Sequence, residues 1–107
     1  MRRTWLVPIA VALAACGSPL PESDPEAVGT ADAVAAQDGD VAISFVPDVG
    51  YEYFEGTTFV VGDEVPVGGS AKAASDIEAG DAIAVWTDVC AESFPVQCVV
   101  TAVEVLD

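Results

Sequence analysis

From Val41 onward the chain is written as short β-type runs, each stopped by a turn, with no strongly amphipathic helical stretch between them. Val41, Ile43 and Phe45 alternate with Ala42 and Ser44, the period of a strand with one buried face. Pro47-Asp48-Val49-Gly50 is a turn sequence. Tyr51-Glu52-Tyr53-Phe54 and residues 57–61 are aromatic and β-branched runs separated by Glu55-Gly56, which predicts a hairpin. Gly62-Asp63-Glu64 turns the chain again. Residues 65–67 read as a short edge piece, because Pro66 has no N–H to give to a ladder. Residues 68–75 read as a loop, and Glu78-Ala79-Gly80-Asp81 launches a strand over 82–87. A final strand is expected over about 96–106, with Val99, Thr101, Val103 and Val105 on one face. The pattern predicts an all-β domain over residues 41–107, a small barrel or a sandwich.

The first forty residues have another character. Pro19, Pro21 and Pro25 interrupt any helix, while Glu22, Asp24, Glu26, Asp32, Asp38 and Asp40 repel one another. Such a composition predicts a flexible acidic linker over 16–40. Residues 31–37 have enough alanine for one or two helical turns, too few to stand alone. Ahead of the linker, Arg2 and Arg3 precede an uncharged apolar run from Trp5 to Leu13, closed by Leu13-Ala14-Ala15-Cys16. The run is shorter than the roughly 20 residues that span a bilayer. Its basic start, apolar centre and small residues before the cut follow the layout of an export signal. The segment resembles a bacterial lipoprotein signal peptide whose lipobox ends at Cys16. That resemblance implies removal of residues 1–15 and acylation of Cys16 with a diacylglycerol thioether and a further acyl chain. It implies a lipid-anchored protein of the bacterial cell envelope facing away from the cytoplasm, with the membrane as a partner through Cys16. Two or more chains anchor stably where one does not.

The chain carries a formal net charge of −15, with 18 acidic residues and three basic ones. Two of the basic residues are Arg2 and Arg3, so Lys72 stands alone after signal removal. This balance keeps a protein soluble and excludes nucleic acid as a partner, which needs a basic footprint. Its first explanation is adaptation to salt or a generally acidic proteome, with a cation-binding role as the alternative. Once Cys16 is acylated, Cys90 and Cys98 remain as an even pair in an oxidising compartment, and they read as a structural disulfide. Closing so short a loop stabilises by about 2.5 kcal/mol in the chain-entropy account. A redox pair fits poorly, lacking both Cys-x-x-Cys spacing and a basic surrounding.

Residues 76–87, then Glu92-Ser93-Phe94-Pro95-Val96-Gln97, then Ala102-Val103-Glu104-Val105-Leu106, resemble the YobA-like family of small bacterial exported proteins and lipoproteins. Phe94 stands where that family usually has tyrosine, and Cys90 and Cys98 are additions. The resemblance covers residues 76–106 and implies a small OB-like β-barrel of about five strands. It brings no activity. Within the motif, Gly80 supplies turn freedom and Trp86 a large apolar face. Two readings stay open for Trp86, Glu92, Ser93, Phe94 and Gln97: a loop that closes the fold, or a ligand rim on a rigid scaffold.

The catalytic repertoire is thin. The chain has no histidine, which removes the commonest general base and transition-metal ligand. Ser93 therefore has no base to activate it, and Lys72 sits among small residues rather than in an apolar pocket. Zinc would need both cysteines reduced. Gly68-Gly69-Ser70 lacks the spacing of a phosphate loop. Asp76, Glu78 and Asp81 flank a glycine turn and are the candidate calcium ligands, without EF-hand spacing. The sequence thus predicts no enzyme and no cofactor. It predicts a binding or interaction module with an envelope partner; the alternatives are an acidic structural or solvating module, or a calcium or small-molecule binder.

Overall fold

The computed structural model describes residues 20–107, so the signal segment and Cys16 lie outside the described residues. The fold is all-β. Among the described residues six strands form one mixed sheet: β1 (Ala27–Gln37), β2 (Asp40–Pro47), β3 (Thr58–Val61), β4 (Val67–Gly69), β5 (Ala82–Ala91) and β6 (Gln97–Val105). Their order is β3-β2-β1-β5-β6-β4. Neighbours are antiparallel except β4 and β6, which run parallel.

The linker expected over 16–40 is corrected by β1, which lies at the centre of the sheet between β2 and β5. Its small residues conceal the pattern. Ala27, Gly29 and Ala31 are buried, and Asp32 is the extra residue of a bulge, after which Val34 packs on the same core. The bulge shifts the alternation by one place, so no single period runs through the strand. Asp38 and Gly39 both have positive φ, at 53° and 88°, and form the two-residue turn into β2. Asp-Gly is the expected chemistry for such a hairpin. The short helix considered for 31–37 is absent because these residues are paired from Ala31 to Gln37 with β2.

The hairpin expected around Glu55-Gly56 is also replaced. Glu52–Phe54 is a 3-10 turn that drives Phe54 into the core, and the ladder partner of β3 is β2. Phe45 and Phe59 meet edge to face with ring centroids 5.0 Å apart, and Phe54 lies 5.9 Å from Phe59. Ile43, Ile83, Val85, Val103 and Val105 complete this inner core. In β6 a bulge at Thr101 turns Val100 inward and leaves Val99 59% exposed, so Val99 does not share the face of Val103 and Val105.

The sheet curls until β3 comes beside the start of β6. There the buried Thr57 hydroxyl donates to the carbonyl of Val96 at 2.9 Å. No ladder joins the two strands, so the expected OB-like barrel is not closed. The reason is length. β3 ends after four residues, and the chain passes through Gly62 and Pro66 into β4, three residues long, which occupies the outer edge of β6 at Val103–Val105. Gly69 fits there because its φ is +78° and any Cβ would strike the carbonyl of Val105.

Candidate functional site

The β5–β6 hairpin tip carries four of the five residues considered as a rim. Cys90 and Cys98 are bonded, with Cα atoms 3.9 Å apart at paired positions, and Ala91 pairs with Gln97 just beyond. The loop from Glu92 to Pro95 is exposed throughout. It is nevertheless held at several points. The N–H of Ser93 donates to the carbonyl of Ala91 at 2.8 Å, and its hydroxyl donates to the carbonyl of Pro95 at 2.9 Å. The phenol of Tyr53, on the 3-10 turn, donates to Glu92 Oε2 at 2.9 Å. Val96 is buried in the core and bears the Thr57 bond. The Phe94–Pro95 peptide is cis. Phe94 itself stands 93% exposed. Val89 and Val99, which flank the cysteine pair in sequence, are exposed as well.

Trp86 does not belong to this rim. It lies on the outer face of the sheet with Ala84 and Ala102, and is only 6% exposed. Residues 20–26 cover it as a strap. The indole N–H donates to the carbonyl of Ser23 at 2.9 Å, and the N–H of Thr87 donates to Glu26 Oε1 at 2.8 Å. Leu20 and Val28 pack against the same cluster, and Leu20 sits over Gly68, where a Cβ would meet its Cδ1 at 2.7 Å. An indole with a satisfied N–H and a covered face is a packing element. The strap is another part of the segment read as linker, and its proline-rich composition describes an extended chain that docks through side chains rather than ladders.

Two of the three candidate calcium ligands, Asp76 and Asp81, are occupied locally. Asp76 Oδ2 accepts from the N–H groups of Lys72 and Ala73, each at 3.2 Å, and caps the turn Ala74–Asp76. Asp81 Oδ2 accepts from the N–H of Glu78 at 2.9 Å. Among the described residues no three acidic or cysteine side chains converge as a metal-binding group. A cleft of about 790 Å³ lies beside β4, walled by Val41, Val65 and the loop after Gly69, with Asp63, Glu64 and Lys72 at its lining. Its charges are of mixed sign.

Among the described residues two titrating groups are shifted, both near the hairpin tip or its approach. The Glu52 carboxylate accepts from the N–H of Gly50, which, with its own N–H, holds its pKa below the usual value. The phenol of Tyr53 is pushed above its usual value, chiefly by its hydrogen bond to the Glu92 carboxylate, then by burial and by the nearby negative charge. Tyr53 is the site residue that sequence reasoning missed. It stands 39 positions from Glu92, and no local pattern announces such a pairing.

No family model, curated protein or solved structure matches this chain.

Proposed function

We propose that this protein is a lipid-anchored envelope protein that works as a non-enzymatic interaction module, presenting the Glu92–Gln97 loop to an envelope partner. The observation that carries the reading is Phe94, exposed to 93% at the tip of a disulfide-closed hairpin. Burying a phenylalanine side chain contributes about 1.5–3 kcal/mol, and leaving one in water at a loop tip forgoes that. Aromatic anchors dominate protein interfaces, and a loop already held by Tyr53, Ser93 and Val96 has less freedom to lose on binding. The acidic rim residue Glu92 beside Phe94 favours a partner surface with apolar and basic groups. The lipobox-like segment before Cys16 and the likeness of residues 76–106 to the YobA-like family support the envelope setting.

The test is a photo-crosslinking amino acid at position 94 in the intact cell envelope. Capture of one discrete partner there, absent from a probe at Asp107 and competed by excess wild-type domain, is the expected result. Equal labelling from both positions defeats the proposal.

A further inference from the structure

We infer that the strap of residues 20–26 clamps the domain to its lipid anchor, so that the β4 side of the sheet faces the bilayer at close range. The inference rests on the anchor reading of Cys16. A flexible linker to residue 40 would let the domain roam far from the membrane. The docked strap removes that freedom. Leu20 is packed on Gly68 and the Trp86 cluster, Ser23 is bonded to Trp86, and Glu26 is bonded to Thr87. Only Gly17, Ser18 and Pro19 separate Cys16 from this contact. At the extended-chain limit, four residue steps reach about 14 Å. The Cα of the acylated residue therefore lies within that distance of Leu20, whatever path the three residues take.

The geometry also selects a side. Leu20 lies over Gly68 in β4, at the sheet edge opposite β3. That edge, with the cleft beside it, is the part of the domain nearest the bilayer. Acidic residues of the strap, Glu22 and Asp24, are exposed, and anionic headgroups repel them over a Debye length of about 8 Å at physiological salt. Repulsion keeps the domain from lying down on the lipid, while the short covalent reach caps the gap. The domain, and with it the loop bearing Phe94, is thereby held to the anchor by three residues rather than by a linker running to residue 40.

The mature protein contains its own probe. The chain has two tryptophans, and Trp5 lies within the residues that signal cleavage removes, which leaves Trp86 under the strap. The full chain is expressed, purified from membranes, weighed by mass spectrometry and placed in phosphatidylcholine vesicles containing a dansyl-headgroup lipid. Energy transfer from Trp86 is compared with that of a variant carrying 20 Gly/Ser residues between Pro19 and Leu20, an insertion with an end-to-end distance of about 25 Å. The expected result is acylated Cys16, blue-shifted Trp86 emission in both proteins, and transfer several-fold lower in the variant. Acylated protein whose transfer is unchanged by the insertion, or whose Trp86 emission is that of a solvated indole, overturns the clamp alone. A Cys16 without acyl chains overturns the anchor reading and the clamp together.

Discussion

Tyr53 shows how one hydrogen bond ties a surface loop to the body of the fold. Its phenol is neutral when it donates to Glu92, so the folded state raises the tyrosine pKa. A group whose folded pKa is raised contributes stability that is present below its unfolded value, near 10 for tyrosine, and is lost as pH rises through the folded value. The loop is therefore expected to loosen in alkali. In a Tyr51→Phe variant, tyrosinate absorbance reports Tyr53 alone and titrates above the ordinary range; adding Glu92→Ala brings it down. Glu52 works in the opposite direction. Its pKa is lowered by backbone N–H groups, so its contribution is present above the unfolded carboxylate value and fades as pH falls through the folded one. A second residue-scale prediction concerns Gly29. A Cβ there would strike the carbonyl of Val46 and come within 2.8 Å of the Phe45 ring and the Pro47 Cα. Gly29→Ala should cost about 1–3 kcal/mol by overpacking, read as a lowered urea midpoint with unchanged slope.

At the scale of elements, the β5–β6 hairpin depends on its cross-link more than the rest of the sheet does. The register between the strands slips at Thr101 and again between Thr87 and Cys90, so the ladder weakens toward the tip. The disulfide restores the pairing where the loop begins. The Cys90→Ser/Cys98→Ser double variant is expected to lose about 2.5 kcal/mol. Its amides over 92–97 should exchange faster while those of the β1–β2 hairpin keep their relative protection. Equal acceleration throughout would mean that the tip is not a separate unit. The seam between β3 and β6 is a second such point. Thr57→Val leaves the buried Val96 carbonyl without its donor and should cost about 1–3 kcal/mol, measured by thermal unfolding.

At the scale of the whole molecule, the described residues form a sheet with two covered faces of unequal depth. The inner face holds the aromatic core, and the outer face is closed at Trp86 by the strap. A chain beginning at Ala27 should still fold around the inner core, since β1 and its partners remain. Compared with residues 20–107, it should show red-shifted Trp86 fluorescence and lose about 2 kcal/mol, the scale of one large apolar side chain returned to water. The charge acts at the same scale. With Lys72 as the sole cation among the described residues, self-repulsion opposes compaction, and screening by added salt should raise the melting temperature.

The strand class, the turn at Gly80 and the Cys90–Cys98 bond were legible because they depend on local chemistry: β-branched runs, a glycine with φ of +97°, and two cysteines nine positions apart counting both ends. The start of the domain was not legible: the sequence pattern places it at residue 41, whereas β1 begins at Ala27. Asp38-Gly39 is a hairpin signal, yet the acids and small residues around it look like solvated linker, because Ala27, Gly29 and Ala31 carry too little apolar bulk to mark a face. Their burial comes from what packs on them, and Phe45 fills the space beside Gly29. The bulges at Asp32 and Thr101 belong to strand pairs rather than to single strands, so no period in one segment reveals them. Trp86 was readable as a large apolar side chain on a strand. Whether it faces a ligand or a strap was decided by residues 20–26, more than 60 positions away, folding back to cover it. Sequence thus determined which segments extend and where they turn. Tertiary structure decided which faces meet, because burial is a property of pairs of surfaces and each residue carries only half of one.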